Sequence, residues 1–600
     1  MTILETTHTG AEDVRWDLSD LYPGMDAPEI EADTKTIDAR LTAFDQAYRG
    51  KVAGLSAQAM LSALEEYEAI QEMVARIGIF AHLTWVTDTT NPENGKFLAK
   101  AQKQQVEYAQ RMMFFQLEWR AAPEATTKLA DDPILKKYEH YLKVTRLLAP
   151  YTLSEKEEQI ITELSLSGAS GWNRYYSEVM SRSKYEMDGQ SLNQGQILKY
   201  LYSVERDQRQ RAADVFTKGL HDLSHTTTFV FNTLAVNKRS IDKMRGYPSW
   251  VASRNLSNEL DDADVDALVG AVTSRYDIVQ RYYRLHKKLL GYDQLYDYDR
   301  YAPVMNEDWH VHWDEAREMV LSAFEKFDPR MSNIATRFFE GHWIDAALAP
   351  NKRSGAFSAG TVPSAHPYIL MNYTGTLRDV MTLAHELGHG VHQYVSRERG
   401  YLQASTPLTT AEMASTFCEM LVFDAVMAEL DDPRVRLANR IEKISDTFAT
   451  VFRQIAMNRF EDAMHTACRT EGELSKDRLS ELWMQTQRVM FGDSVTLRDE
   501  YSIWWSYVPH FLGTPGYVYA YAFGELLVWA LYARYQNEGS GFSGKYLEAL
   551  GKGGSQWPHE ILAPLGVNLK DPTFWHEGLS LIENMVIEAE HEAEALNYQV

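Results

Sequence analysis

Residues 376–400 read TLRDVMTLAHELGHGVHQYVSRERG. Inside this stretch, His385-Glu386-Leu387-Gly388-His389 forms an H-E-x-x-H on a predicted helix. Residues four apart on an α-helix lie about 40° from each other and one turn apart along the axis. The imidazoles of His385 and His389 therefore share a face and can grip one metal ion. Glu386 points about 100° to the side, which leaves its carboxylate to act on a metal-bound water rather than as a ligand. Thr376 and Asp379 have the spacing of a capping box at the helix start. Arg397, Arg399 and Gly400 mark its end. The chain holds its own controls: His559-Glu560, His576-Glu577 and His591-Glu592 are His-Glu pairs with no second histidine three residues on.

A catalytic zinc site needs three protein ligands and one open position. After Gly400 a Thr- and Pro-containing loop leads to a helix predicted over 410–430, TAEMASTFCEMLVFDAVMAEL. Glu412 lies in its first turn, and Ser415, Thr416 and Glu419 share its face. Glu412 is the candidate third ligand, with Glu419 and Asp424 as competitors. Glu419, one face-repeat deeper, suits a carboxylate that holds a ligand imidazole in one tautomer. Thr409-x-x-Glu412 also has the spacing of a capping box, which would give Glu412 a purely local role.

Upstream, residues 351–375 carry Gly355, Gly360, Pro363 and Pro367, then the apolar run from Tyr368 to Met371. They read as a loop followed by a strand at about 366–373. An extended peptide could pair with the edge of that strand; a simple buried strand is the alternative. Downstream, residues 503–532 read IWWSYVPHFLGTPGYVYAYAFGELLVWALY. His510, Tyr517 and Tyr521 are imidazole and phenol donors of the kind that stabilise an oxyanion, or else parts of an aromatic core.

The remaining chain is helical in pattern. Leu61, Leu64, Tyr67, Ile70, Val74, Ile77 and Ala81 recur at steps of three and four with acidic residues between them. Similar spacing runs through 97–120 and 154–166, punctuated by Pro92, Pro123, Pro133 and Pro150. A turn at 187–190 divides an expected N-terminal helical domain, 1–190, from a catalytic domain, 191–600. Residues 264–291 and 314–327 are again helical, and 292–304 read as an irregular crossing.

The 600 residues carry a net charge of −24, which argues against nucleic acid and anionic membrane surfaces as partners. The two cysteines, Cys418 and Cys468, make no disulfide framework. No signal peptide is visible in MTILETTHTGAEDVRW, and no apolar run reaches the roughly 18 residues of a membrane span. A cytoplasmic protein is expected.

Together these residues resemble oligoendopeptidase F, within the wider group that includes thimet oligopeptidase. The resemblance rests on Trp16-Asp17-Leu18-Ser19-Asp20-Leu21-Tyr22, Arg353-Ser354-Gly355-Ala356-Phe357-Ser358 and His366-Pro367-Tyr368-Ile369-Leu370-Met371-Asn372-Tyr373. It continues through residues 385–390, Glu412-Met413-Ala414-Ser415, His510, Tyr517 and Tyr521. It implies a mainly α, two-lobed ellipsoid with a deep central channel and a gluzincin-type core with a small β-sheet. It also implies one Zn²⁺ per chain on His385, His389 and Glu412, with Glu386 as base and acid. His510, Tyr517 and Tyr521 would touch substrate and transition state. The implied activity is that of a zinc endopeptidase in which a zinc-activated water attacks internal bonds of short peptides. One departure is that the loop from His510 to Tyr517 is longer than in thimet-type members, and Gly524 stands where those carry a further tyrosine. Two rivals are an exopeptidase of the dipeptidyl carboxypeptidase kind and a helical peptide-binding protein with a structural zinc.

Overall fold

The apolar series that begins at Leu61 becomes the helix Ala57–Thr87 in the computed structural model, which describes residues 8–165, 167–305 and 310–598. The first seven residues of the N-terminal stretch, and residue 166 at the end of the 154–166 series, lie outside the described residues. Leu64, Tyr67, Ile70, Val74, Ile77 and Ala81 are buried, with Leu61 half-buried beside them. Ser56 caps the helix by accepting from the Ala59 amide. Pro92 opens the helix Pro92–Ala121, where its missing N–H has no cost, and Asn91 caps it. With Pro28–Tyr48 these helices enclose Ile37, Leu41, Phe44, Tyr67, Phe114 and Phe115. Each large aliphatic side chain so buried contributes about 1.5–3 kcal/mol.

The chain forms two units, each drawn from three segments. The first is Met1–Ala149, Asp308–Glu429 and Arg534–Val567; the second is Pro150–Glu307, Leu430–Ala533 and Asn568–Val600. The fold is mainly helical with small sheets, as expected.

In the first unit, Tyr368–Leu370 is the middle strand of a three-stranded sheet. Ile344–Asp345 pairs with it in parallel, and Phe357–Ala359 antiparallel, with Phe357 opposite Leu370. The strand predicted at 366–373 thus forms, but both of its edges are taken. Its three side chains are all buried, and the outer strands of the sheet are Ile344–Asp345 and Phe357–Ala359. The N-terminal Trp-Asp-Leu-Ser-Asp stretch packs on this sheet. The Tyr368 hydroxyl donates to the Asp17 carbonyl at 2.8 Å, Trp16 meets Tyr368 edge-on, and His366 Nε2 lies 2.9 Å from Asp20 Oδ2. Two motifs some 350 residues apart are thereby one structure, and the chain leaves it directly into the helix that carries His385.

The second unit is built round Phe216, Phe231, Phe460, Trp483, Trp504 and Trp505. The turn at 187–190 closes a hairpin between Tyr185–Met187 and Gln190–Leu192. Asp188 and Gly189 sit at φ 51° and 79°, the left-handed pair that a two-residue hairpin requires. The crossing at 292–304 is irregular apart from a 3-10 turn, Asp297–Asp299. Among the described residues, no helix is long and apolar enough to cross a membrane.

Candidate metal centre

The helix Leu377–Ser396 begins at the capping box read from the sequence. Thr376 Oγ1 accepts from the Asp379 amide at 3.2 Å, and Asp379 Oδ2 accepts from the Thr376 amide at 3.0 Å. Val380, Leu383, Ala384, Leu387 and Val391 bury one face, which fixes the rotation of the helix. The rings of His385 and His389 then lie 5.0 Å apart at 84°. The helix ends in the turn Arg397–Arg399 before Gly400, at φ 85°.

Glu412 is not in the first turn of one helix over 410–430. It stands at the junction of Leu408–Ala411 and Met413–Glu429, with ψ near −1°. The Thr409–Glu412 capping box does not form: Thr409 Oγ1 is buried and has no partner among the described residues. Instead Glu412 Oε2 lies 3.4 Å from His385 Nε2 and 3.3 Å from His389 Nε2, and accepts from Ser415 Oγ at 2.7 Å. What brings the two helices this close is Gly388. A Cβ there would meet the Ala414 carbonyl oxygen at 2.6 Å and Ser415 Cα at 2.7 Å, both backbone atoms that cannot swing aside. Gly388→Ala is therefore expected to lower stability by about 1–3 kcal/mol and to weaken metal binding, since Ser415 and Glu412 move together. Denaturant unfolding and metal titration check this; unchanged metal affinity would count against the close approach as the positioning device.

The electrostatics follow from the contacts. Burial by itself would lower the pKa of His385, but its hydrogen bonds to Glu412 and Glu419 prevail and push it up to about 10. Burial would raise Glu412, yet the two imidazoles hold it well below the usual carboxylate range. Glu419 Oε2 lies 3.3 Å from His385 Nδ1, so that ring presents Nε2 toward Glu412, in the way a ligand imidazole is commonly oriented. Glu386 is buried, burial raises its pKa against the pull of both histidines, and its Oε2 has no partner among the described residues.

The donor set suits zinc. His385, His389 and Glu412 each offer an atom, all within 4.8 Å of one another. A tetrahedral ion with bonds of about 2.0–2.1 Å spaces its ligands about 3.3–3.4 Å apart, as the two histidine–glutamate separations are. Among the described residues this is the one group of three or more such side chains found, and it offers three donors rather than four.

His510, Tyr517 and Tyr521 belong to the second unit and come together there. The Tyr521 hydroxyl is 3.3 Å from His510 Nε2, the Tyr517 ring stacks on His510 at 5.9 Å, and the two tyrosine rings meet edge-on at 4.9 Å. Burial lowers the His510 pKa. Sequence reading missed what supports this loop. Glu461, on Phe452–Thr470, accepts from the Gly516 amide at 2.9 Å, and burial pushes its carboxyl up to about 8. The available signal was an acid among apolar neighbours of the same helix face, Met457 and Met464.

Known proteins resemble this chain over nearly its whole length. A family model described as peptidase family M3 matches residues 199–581, and one described as oligopeptidase F matches 120–185. The chain is similar to oligopeptidase PepF of Bacillus subtilis (strain 168), 27% identical over 592 residues, covering 97% of this chain and 87% of that one. It is similar to an oligoendopeptidase F homolog of Lactococcus lactis subsp. lactis, 26% identical, covering 96% and 97%. Among solved structures, a chain from Chlamydophila abortus superposes with a TM-score of 0.85 at 24% identity, covering 96% and 98%. Oligoendopeptidase-F from Enterococcus faecium does so at 0.71 and 22%, covering 95% and 99%.

Proposed function

The chain belongs to peptidase family M3, and on that premise we propose that it hydrolyses internal bonds of short oligopeptides with one zinc ion held by His385, His389 and Glu412. The observation that carries this reading is the convergence of two imidazoles on one carboxylate at 3.4 and 3.3 Å beside a buried carboxyl, Glu386. The names of the similar proteins, oligopeptidase and oligoendopeptidase, support the size class and the internal cut.

When bound, zinc supplies Lewis acidity toward the scissile carbonyl and toward water. Glu386 takes the proton of the attacking water and delivers it to the leaving nitrogen. Its raised pKa brings it closer to the range in which one group can do both. Glu419 keeps the Nδ1 side of His385 occupied, so that Nε2 remains the ligand atom. His510, Tyr517 and Tyr521 are the proposed donors to the developing oxyanion. Cys418 and Cys468 are both free and buried, which supports a reducing, cytoplasmic setting.

The test is a short peptide acetylated at its N-terminus and amidated at its C-terminus, with products mapped by mass spectrometry. Internal fragments are expected, lost with a chelator and restored by added zinc. An uncut blocked peptide beside a trimmed free one would favour the exopeptidase. No cleavage of either peptide by zinc-loaded protein would favour a structural metal in a peptide-binding protein.

A further inference from the structure

His510 and Tyr521 lie on the helices His510–Gly513 and Tyr519–Glu538, while Tyr517 lies on the connection between them. That connection is the turn Thr514-Pro515-Gly516-Tyr517, closed by the Tyr517 amide donating to the Thr514 carbonyl at 3.0 Å. Pro515 takes its second position and Gly516, at φ 74°, its third, as a type II turn requires. Types I and II differ by a flip of the central peptide, here Pro515–Gly516. Pro at the second position suits both types, and Gly at the third permits both.

Glu461 meets the central peptide from the neighbouring helix. It is 0% exposed, and its Oε1 accepts from the buried Gly516 amide at 2.9 Å. Flipping the peptide would carry that N–H away from the carboxyl and leave an enclosed donor without its partner, a cost of about 1–3 kcal/mol. The turn also has little room to slide. A Cβ at Gly516 would lie 3.2 Å from the Val251 side chain and 3.4 Å from those of Arg254 and Trp250. Trp250 is itself held: its Nε1 donates to Asp462 Oδ1 at 2.8 Å, and its ring stacks on His465 at 4.7 Å. Glu461, Asp462 and His465 all belong to Phe452–Thr470, so one helix grips the turn by a hydrogen bond and by packing.

We infer that Glu461 is a positioning residue for peptide hydrolysis: through Gly516 it fixes the turn that sets Tyr517 against His510 and Tyr521. This rests on the reading of Tyr517 as a donor to the oxyanion. Burial raises the pKa of Glu461 to about 8 against the Gly516 amide, Arg254 and Lys238, which lower it. Lys238 is paired with Asp242 at 2.6 Å. Below that pKa the carboxyl keeps its proton, and a protonated carboxyl, like an amide, offers one acceptor oxygen beside a donor. Glutamine should therefore replace it.

The test uses the full-length, zinc-loaded protein and a blocked short peptide. Glu461→Met keeps most of the volume and removes the acceptor. Its kcat is expected to fall about 10–100-fold, the cost of a misplaced catalytic group, with KM within about twofold and zinc content unchanged. Glu461→Gln should keep kcat within about threefold of wild type. Hydrogen exchange at the Gly516 amide should be slow in the wild type and in Glu461→Gln, and fast in Glu461→Met. Wild-type kcat in Glu461→Met, a rise in KM alone, equal impairment of Glu461→Gln, or Gly516 exchange alike in all three would each overturn the inference. Full turnover in Tyr517→Phe would overturn the donor reading along with it; an impaired Tyr517→Phe beside an active Glu461→Met would overturn this inference alone. If Glu461→Met does not fold, Gly516→Ala disturbs the same turn from its other side: a fall in kcat at constant KM is expected, and full kcat would overturn the inference.

Discussion

Glu386→Gln is expected to retain its zinc and to bind peptide while turnover falls by about 10²–10⁴, the usual worth of a positioned acid–base group. The amide keeps the shape of the side chain in a site where Glu386 is 7% exposed, so packing changes little. It cannot accept the proton of the attacking water. Glu386 is not in the group of atoms that converge within 4.8 Å, which is why its loss should spare the metal. Zinc content and rate are to be measured on the same preparation. Zinc lost along with activity would make Glu386 a ligand or a structural support. Unchanged turnover with zinc present would remove it from the chemistry and return the binding-protein reading.

Glu412→Ala should instead empty the site and abolish cleavage. Its carboxylate is the one point that both Nε2 atoms approach, and removing it leaves two donors where a catalytic zinc needs three. Changes to groups that merely orient a ligand cost about 10–100-fold in metal affinity. Glu419→Gln is expected within that range, and Glu412→Ala well beyond it. Metal titration of the two variants side by side gives the ranking. A Glu412→Ala protein with full zinc and full activity, or one less impaired than Glu419→Gln, would transfer the ligand role elsewhere.

The helical class and the heart of the site were legible early because they depend on local geometry. A period of 3.6 residues puts His385 and His389 on one face whatever surrounds them. The same period marks out Leu64, Tyr67, Ile70 and Val74 as a buried stripe. Capping at Thr376 reads directly from a side chain that can accept an amide hydrogen bond. These features need no knowledge of the rest of the chain.

Only tertiary structure decided which acid faces the imidazoles. Glu412, Glu419 and Asp424 were all available by spacing. The choice depends on a helix crossing at Gly388 that admits no Cβ, and on a break at Glu412 where a continuous helix was expected. The rank of Tyr368–Leu370 as a central strand was decided the same way, by partners at Ile344 and Phe357 that no local pattern announces. So was the pairing of Asp297 with Arg498 and of Asp299 with Arg209, rather than of either with nearby Arg300. Periodicity encodes which way a side chain leaves its own helix or strand; what it meets there is set by the packing of segments distant in sequence.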